Sequence, residues 1–316
     1  MPLFFWGSGQ QKLTAMVRAA GGACQVRGVS GDMRLIFLCA ITMIAFAANS
    51  ILNRVALSDG ASDAVLFGVV RLLSGAVMLA ALVQLRGRTL RLAGKGRMIG
   101  VAALLVYIFG FSIAYESLDA GLGALILFGM VQITMFAGSA LSGERPGLQR
   151  VAGACLAFGG LMWLLWPGHA SAPSPSHASF MALAGIAWGL YSLNGRSSAD
   201  ALGATAANFV LAAGISGAVL ALAWALPTAT SLGQMTAFAV GMACLSGAIT
   251  SGLGYALWYS VLPHLRGSTA AVTQLTVPVI AIVGGAVLLA EPVGIRLLIA
   301  SVFVLGGVLL AVTARQ

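Results

Sequence analysis

The chain has 316 residues, of which 59% are hydrophobic and only 8% are charged. Soluble domains carry about 25% charged residues, so the composition excludes a soluble globule, whose surface needs many more polar groups. The formal net charge is +9, but the basic residues stand between long apolar runs. This distribution argues against a nucleic-acid-binding domain and is typical of an integral membrane protein.

The first residues differ from the rest of the chain. Residues 1–33 contain scattered basic residues and no long apolar run, and they lack the apolar segment and cleavage site of a secretory signal. We predict that they form a disordered cytoplasmic tail. Because Met33 stands directly before the first apolar run, we also expect residues 1–32 to be an extension upstream of a shorter natural start.

Ten apolar runs follow the tail. A membrane-spanning helix needs about 20 mostly apolar residues, and each run is separated from the next by charges, glycine or proline. We therefore predict an all-α integral membrane protein with ten transmembrane helices. In chain order, the predicted spans are 34–57, 63–85, 97–118, 120–141, 147–166, 178–196, 203–226, 236–262, 267–290 and 293–313.

The basic residues predict the orientation of these spans. The connection 86–97 contains Arg and Lys at five positions, whereas the connections on the opposite side of the membrane contain only Arg54 and Arg296. Cytoplasmic connections are the ones enriched in Lys and Arg, so we predict that both termini are cytoplasmic. The Pro- and Ser-rich segment 167–177 then becomes an outer linker after the fifth span.

Sequence similarity relates the two halves of the chain. The segments GERPG and AEPVG place Glu144 and Glu291 in similar contexts, 147 positions apart. AFAANSILNR (45–54) in the first span is also similar to AWGLYSLNGR (187–196) in the sixth. The first five spans therefore resemble the last five.

An odd number of spans in each half has a topological consequence, because the second copy must enter the membrane from the opposite side. We predict two inverted five-helix repeats, 34–166 and 178–313, an arrangement that recurs in transporters. Glu144 and Glu291 then begin the fifth and tenth spans on opposite faces. We expect each to cap the N-terminus of its own helix; the alternative is a pair of proton sites.

The joint pattern resembles the drug/metabolite transporter superfamily, and specifically its EamA-like exporters. RLLSGAVMLA (71–80) is similar to the second helix of that family, with its intramembrane arginine, and GYALWYSVLPHLRGSTAAVTQLTVPVIA (254–281) is similar to its helix 8–9 region. The resemblance covers 34–313. It implies a small-metabolite carrier of the plasma membrane, which is the inner membrane in bacteria, and it does not name a substrate.

Polar and aromatic side chains within the spans are the candidate solute contacts. Polar groups in hydrocarbon must face the bundle interior or a wet cavity, and spacings of three and four residues place aromatic rings on one helix face. The alternative is packing between helices or an interfacial aromatic belt. The candidate set is Asn49, Asn53, Arg71, Tyr107, Phe111, Gln132, Trp188, Tyr191, Tyr255, Trp258, Tyr259 and Gln274.

Arg71 is the charged residue that lies farthest from the end of a predicted span. A charge within the membrane indicates a functional site by default. The alternative is that Arg71 snorkels to the interface or has a structural partner such as Asp63, Glu116 or a carbonyl group. Both interpretations stay open at this point.

The function predicted from these features is secondary transport by alternating access. We expect export of small metabolites, with amino acids or their analogues as the leading substrate and other amphipathic metabolites or drug-like compounds as the alternative. The expected partners are the solute and the lipid bilayer. No carboxylate lies near the midpoint of a span, so uniport or exchange is at least as compatible with the sequence as proton coupling.

An intramembrane enzyme and a channel or scaffold are the rival classes. The sequence has no HExxH, GxSxG or Walker motif, which argues against the enzymes that those motifs identify. Rings of charged residues or a carbonyl filter, as in channels, are not evident. The cysteines Cys24, Cys39, Cys155 and Cys244 have no metal-ligand spacing, so we expect no disulfide, metal site or cofactor.

Overall fold

The structure is a computed structural model that describes residues 29–141, 147–166, 173–195, 200–225, 233–265, 270 and 273–313. Within these residues the regular structure is entirely helical, without strands. The chain divides into two units, Met1–Leu38 and Cys39–Gln316. The described part of the first unit is the beginning of helix α1, and the second unit contains all the other helices.

The described residues of the first half of the chain form five helices. They are α1 (Val29–Leu57), α2 (Ala64–Leu85), α3 (Arg97–Ala114), α4 (Ala120–Leu141) and α5 (Leu148–Leu165).

The second half contains α-helices together with π- and 3₁₀-helical segments. They are α6 (Pro175–Gly195), α7 (Ala201–Ala225), α8 (Ala237–Cys244), a π-helical segment (Leu245–Leu253), α9 (Gly254–Val261), a 3₁₀ turn (Leu262–His264), α10 (Thr276–Leu288) and α11 (Ile295–Thr313).

Most of these helices can cross a membrane. In the described part of the chain, eight helical stretches are long and apolar enough to do so, with the continuous stretch from α8 to α9 counted as one of them, and α10 is a shorter apolar helix. Apolar side chains cover much of their outer surface. This pattern is that of a multi-pass membrane protein.

Helix α1 begins at Val29, inside the predicted tail, while its part suited to cross a membrane is Met33–Leu57, in agreement with the predicted span 34–57; the rest of that tail lies outside the described residues. One predicted boundary was wrong. The third span ends at Ala114 rather than at residue 118, because the backbone turns there and Glu116 N donates to Ile113 O over 3.2 Å. Glu116 therefore lies in the connection between α3 and α4.

The apolar composition of the eighth span predicted one continuous α-helix, and this prediction was wrong. The middle third of the span, Leu245–Leu253, is π-helical. Small and hydroxylated residues allow this: Ser246 and Thr250 are buried, and Thr250 Oγ1 donates to Ser246 O over 2.9 Å, competing with the regular backbone hydrogen bonds. π-Helical turns often occur at functional sites because they redirect side chains.

The ninth span is interrupted near its middle. The described helix α10 begins at Thr276, after a turn at Leu275. Pro278 is its third residue, where a missing backbone N–H leaves no hydrogen bond unmade. Pro278 is thus accommodated at a helix start within the predicted span 267–290.

Close packing of glycines joins the last helices of the two halves. A Cβ atom at Gly153 of α5 would overlap the backbone of α11 at Gly307, with 2.5 Å to its carbonyl oxygen. A Cβ at Gly307 would in turn come within 2.5 Å of Ala157 N. Small residues let helix backbones approach closely in membranes, so these positions fix α5 against α11.

The helices that carry the candidate site pack against one another. α2 packs on α7, on α8 and on the π-helical segment, while α3 packs on α6 and α7. α6 also packs on α4. Side chains from both halves of the chain therefore meet around α2, α3 and α6.

Candidate functional site

A cluster of amide and hydroxyl groups connects α1, α3 and the π-helical segment. Asn49 Oδ1 accepts hydrogen bonds from Ser246 Oγ, over 2.8 Å, and from Thr250 Oγ1. Asn53 Nδ2 donates to Asn49 O over 2.9 Å, and Ser112 Oγ donates to Asn53 Oδ1 over 2.9 Å. All five residues are buried. Their bonds satisfy the predicted asparagines and hold the helices together.

Arg71 lies next to this cluster and is fully buried. Its Nη2 atom donates to Tyr107 Oη and to Ser251 Oγ, each over 3.2 Å, and its Nε donates to Ser251 Oγ over 3.3 Å. Arg71 Nη1 is buried and has no hydrogen-bond partner among the described residues. The side chain does not snorkel, so that alternative is wrong.

The expected carboxylate partners of Arg71 are engaged elsewhere. Asp63 caps α2, where its Oδ1 accepts from Leu66 N over 2.8 Å. Glu116 lies 3.7 Å from His177 Nε2. No ion pair to Arg71 occurs in the part of the chain that the structure describes. A buried charge of this kind is costly unless it is compensated.

Aromatic rings provide part of that compensation. The guanidinium carbon of Arg71 lies 4.9 Å from the ring centre of Phe111 and 5.5 Å from that of Tyr107. Cation–π contacts of this type contribute more when they are desolvated. Arg71 is therefore held by two hydroxyls and two ring faces, and its charge is not neutralised by them.

Trp188 is the centre of an aromatic cluster formed by α3, α6 and α9. Its ring centre lies 4.8 Å from Tyr107, 5.0 Å from Tyr255 and 5.3 Å from Tyr191, on which it stacks at 15°. Tyr255 Oη donates to Tyr107 Oη over 3.5 Å. Trp258 packs on Phe46 of α1, with ring centres 6.0 Å apart. The predicted aromatic residues are thus largely brought together.

The structure does not bring the two predicted glutamines to this set. Gln132 is buried, and its Nε2 atom has no hydrogen-bond partner among the described residues. Gln274 is half-buried. No hydrogen bond connects either of them to the other predicted residues in the described ranges. Tyr259, also half-buried, lies instead at a cavity.

This cavity has a volume of about 290 Å³. It is formed where α3 and α7 begin and where α6 and α9 end. Its lining consists of Gly94, Lys95, Gly96, Arg97, Tyr191, Asn194, Gly195, Ala201, Ala204, Thr205, Asn208 and Tyr259.

A hydrogen-bond network orders the inner wall of the cavity. Arg97 Nη1 donates to Ala204 O over 2.6 Å and to Asn208 Oδ1 over 2.8 Å. Asn208 Nδ2 donates to Tyr191 Oη, and Tyr191 Oη donates to Thr205 Oγ1, each over 3.3 Å. Sequence reasoning treated Arg97 only as an orientation charge, and it missed Asn208.

A charged cluster lies at the other end of α3. Arg54 Nε pairs with Glu291 Oε1 over 3.2 Å, and Arg54 Nη2 pairs with Asp119 Oδ1 over 3.3 Å. Arg54 Nη1 donates to the carbonyls of Tyr115, over 3.4 Å, and of Glu116, over 3.3 Å. We call Arg54, Asp119 and Glu291 the ion-pair cluster. It ties α1 to the α3–α4 and α10–α11 connections.

The prediction that Glu291 caps its own helix was wrong. Both of its carboxylate oxygens accept from Ala120 N, over 2.9 and 3.1 Å, so Glu291 caps the start of α4. The reason is local: Ala290 has a left-handed φ of 52°, and Glu291 N donates to Gly285 O over 3.1 Å. This turn ends α10 and aims the carboxylate away from α11.

Some features of the surroundings of Glu291 raise its pKa, and others lower it. Burial raises the pKa of Glu291, and nearby Asp119 raises it further, while the Ala120 N–H group and Arg54 lower it; the net shift is upward. The predicted counterpart, Glu144, lies outside the described residues.

The hydroxyl groups at the site were missed by sequence reasoning. Ser246, Thr250 and Ser251 are common residue types in transmembrane helices, where their hydroxyls usually bond to their own backbone. Their close spacing in LSGAITSGL was the available signal. That spacing alone does not distinguish them from ordinary small packing residues.

Comparison with known proteins agrees with this architecture. The model of the EamA-like transporter family matches residues 33–166 and 176–313. A Pseudomonas aeruginosa protein with the name "Uncharacterized protein PA1977" is 49% identical over 286 residues, which cover 90% of this chain and 96% of that protein. One solved crystal structure, 17% identical, has a TM-score of 0.60 and covers 88% of this chain and 97% of its own; it shares the fold. The chain therefore belongs to the EamA-like transporter family, within the drug/metabolite transporter superfamily, and is a multi-pass membrane transporter.

Proposed function

We propose that the protein is a secondary transporter that exports a small solute by alternating access. The observation that carries this proposal is the difference between the two ends of α3. One end is closed by the ion-pair cluster, and the other opens into the cavity. A helix of 18 residues separates them by about 27 Å, so buried Arg71 and Trp188 lie between a closed end and an accessible one.

The closed end is built from segments that can separate. Arg54 belongs to α1, Asp119 precedes α4, and Glu291 lies between α10 and α11. Three segments that are distant in sequence are held by ion pairs that are partly exposed, rather than by a continuous apolar core. Such contacts contribute modestly to stability, and they can be exchanged for contacts with water when the end opens.

The proposed architecture consists of ten spans in two inverted repeats, 34–166 and 178–313, joined by the linker 167–177. A structural feature supports it: Gly160 of α5 and Gly307 of α11, which are equivalent by the 147-residue shift, both face the α5–α11 interface. A Cβ at Gly160 would come within 2.8 Å of Phe303 Cβ. Rocking of two such repeats about a central site is a common transport mechanism.

The proposed orientation has both termini, including the tail 1–33, in the cytoplasm of a cell whose plasma membrane holds the protein. The concentration of basic residues in 86–97 supports it. With this orientation the cavity faces the cytoplasm and the ion-pair cluster faces outward. A solute would enter from the cytoplasm, which is the direction expected of an exporter.

Amino acids or their analogues are the proposed solutes, and other amphipathic metabolites or drug-like compounds are the alternative. Arg71 offers a charge that no described carboxylate neutralises, and Trp188 and its neighbouring tyrosines offer flat apolar surfaces. The aromatic residues would also act as gates. Phe111 packs on Tyr115 toward the closed end, with ring centres 4.8 Å apart, and Trp258 lies toward the cavity end.

A transport assay tests the proposal. Purified protein is reconstituted in liposomes loaded with radiolabelled amino acids, and the rate of release is measured against solute concentration. We expect a rate that saturates, as for a carrier. Arg71→Gln should lower the saturable rate about tenfold or more, since a charged hydrogen bond contributes about 1.5–3 kcal/mol.

Controls separate this result from misfolding. Arg71→Lys keeps the charge and should retain part of the rate, and Arg86→Gln removes an exposed charge and should leave the rate unchanged. Thermal unfolding verifies that each variant is folded. A rate that rises linearly with concentration would indicate a channel, and a folded Arg71→Gln variant with the wild-type rate would contradict the assignment of Arg71.

A further inference from the structure

We propose that the cavity at the start of α3 is a binding site for the carboxylate group of a small organic anion, recognised by Lys95 and Arg97. This inference deepens the proposed function, on which it rests for the claim that the bound anion is the exported solute. The binding site itself can be tested without transport.

The charge of the cavity wall indicates the charge of its ligand. Among the described residues of the lining there are two cationic side chains, Lys95 and Arg97, and no Asp or Glu. The remaining polar groups are amides and hydroxyls, which can donate hydrogen bonds to an anion. A cationic ligand would be repelled by this wall, and a neutral ligand would not use the two charges.

The acidic residue that directly precedes the lining residue Ala201 in sequence is already engaged. Asp200 stands directly before α7, where its Oδ1 atom accepts from Gly203 N over 3.0 Å and pairs with Arg88 Nη1 over 3.3 Å. The partners of Arg97 are neutral oxygens: its Nη1 donates to Ala204 O and Asn208 Oδ1, and its Nε donates to Leu92 O over 3.0 Å. They orient the guanidinium group and leave its charge uncompensated.

Lys95 and Arg97 differ in how they could act. Lys95 is exposed and makes no hydrogen bond or ion pair within the described ranges, so it is free to turn toward a ligand. Arg97 Nη2 has only a long contact of 3.4 Å, to Arg91 O. A planar carboxylate suits this arrangement, because a guanidinium group presents parallel N–H donors to it.

The size of the cavity favours a small ligand. Its volume of about 290 Å³ is at the lower limit of the range of about 300–1,000 Å³ typical of small-molecule pockets. Gly96, with φ of 70°, lets the Asn194 side chain approach the backbone closely, since a Cβ there would overlap Asn194 Oδ1. Tyr191 and Tyr259 provide ring surfaces for the body of the ligand.

The cavity also leads toward the central arginine. Tyr191, in its wall, stacks on Trp188, and Trp188 packs on Tyr107. Tyr107 Oη accepts from Arg71 Nη2. A carboxylate bound at Arg97 is thus separated from a second buried cation by an aromatic layer, which rotamer changes could open. This succession of cations is what an anionic solute needs in order to leave water.

A binding experiment on the purified protein in detergent tests the site. The probes are acetate, N-acetylalanine and benzoate, each compared with its uncharged primary amide. Their binding is measured by the rise in apparent melting temperature with concentration, at constant ionic strength set with chloride, because a ligand stabilises the form that binds it. We expect at least one carboxylate to bind about tenfold more tightly than its amide.

Two substitutions locate the binding to the cavity. Lys95→Gln removes one charge and no described hydrogen bond, so it should weaken carboxylate binding without changing the melting temperature of the free protein. Asn208→Asp keeps the side-chain shape and gives Arg97 an ionic partner, so it should preserve folding and abolish the preference for the carboxylate. Arg86→Gln, which changes the net charge equally outside the cavity, should bind like the wild type.

The outcomes separate the site from the transport proposal. No preference for any carboxylate over its amide, or a preference that persists in both Lys95→Gln and Asn208→Asp, overturns the site. Stronger stabilisation by inorganic phosphate than by every carboxylate overturns the assignment of the ligand class. Carboxylate binding that depends on Lys95, combined with no transport of the bound probe in liposomes, supports the site and contradicts its place on a transport pathway.

Discussion

Glu291 shows how a single side chain can acquire a role that its sequence context does not specify. Its place before a proline and a helix indicated capping of α11. The left-handed φ of 52° at Ala290 turns the carboxylate toward Ala120 N and Arg54 instead. The residue type and its helix-capping chemistry could be predicted from sequence. The helix that it caps depends on how distant segments pack, which local sequence does not encode.

The titration of Glu291 gives a prediction at the residue scale. Burial is the largest cause that raises its pKa above the ordinary value of 4.5, so the folded protein holds this proton more tightly than the unfolded chain does. By linkage, the contribution of Glu291 to stability is fully present below pH 4.5 and is lost as the pH rises through the raised pKa. The melting temperature of the wild type minus that of Glu291→Gln should therefore fall as the pH rises through this window.

The comparison with Glu291→Gln isolates one carboxyl group. Asp119 and Glu116 on the α3–α4 connection, His177, which lies 3.7 Å from Glu116, and Arg54 are present in both proteins, so the contributions common to both cancel in the difference. If the melting temperature of the wild type minus that of Glu291→Gln stayed constant with pH, or rose as the pH rises, the conclusion that burial raises the pKa of Glu291 more than ion pairing lowers it would be contradicted.

For the other candidate residues too, local sequence does not specify which distant side chains become their partners. The burial of Asn49, Asn53 and Arg71 was predictable, because a polar group cannot face lipid without a partner. Their partners in the π-helical segment were not predictable, since serine and threonine are unremarkable in an apolar helix. Gln132 and Gln274 met the same sequence criterion, yet the described structure does not connect them to the set.

At the scale of the elements, the main difference between prediction and structure is the π-helical segment. Hydropathy sets the length of a span and is insensitive to whether its turns are α or π. The segment brings Ser246, Thr250 and Ser251 to the side facing α1 and α2. It also lets α2 approach closely, because a Cβ at Gly247 would overlap Arg71 O and Ser74 Oγ.

This close approach predicts a sharp difference between two glycines of the same span. Gly247→Ala places a methyl group against the backbone of α2 and should destabilise the protein by about 1–3 kcal/mol. Gly241→Ala, where nothing lies within 4 Å of the new atom, should be neutral or stabilising by up to about 1 kcal/mol. Apparent melting temperatures in detergent measure both. Equal effects of the two substitutions would show that α2 does not pack closely at Gly247.

At the scale of the whole molecule, the apolar composition and the spacing of the runs were sufficient to predict a helical membrane protein. Most helix ends were predicted to within a few residues, since charges and glycines mark where a span leaves the hydrocarbon. The closed end at Arg54 and the cavity at Arg97 could not be predicted. Each combines side chains that are more than 60 positions apart in sequence and depends on which helices are neighbours.

Alternating access requires the two ends of the molecule to open in opposition. In the proposed mechanism the ion-pair cluster closes one end, and among the described residues Arg54 pairs with Asp119 and Glu291. Arg54→Gln should therefore shift the population toward the state that is open at the Arg54 end. In the proposed mechanism the two repeats rock about a common centre, so the same substitution should close the cavity end.

Distance distributions between spin labels, measured by pulsed electron paramagnetic resonance in lipid nanodiscs, test this claim most directly. One pair of labels, at Ser58 and Val293, reports on the Arg54 end, and another pair, at Leu92 and Ser260, reports on the cavity end. All four positions are exposed. The native cysteines are replaced by alanine. We predict two distances for each pair. Arg54→Gln should increase the fraction of molecules with the longer Ser58–Val293 distance and the fraction with the shorter Leu92–Ser260 distance. A single distance at each end that Arg54→Gln does not change, or a shift of both ends in the same direction, would contradict the account.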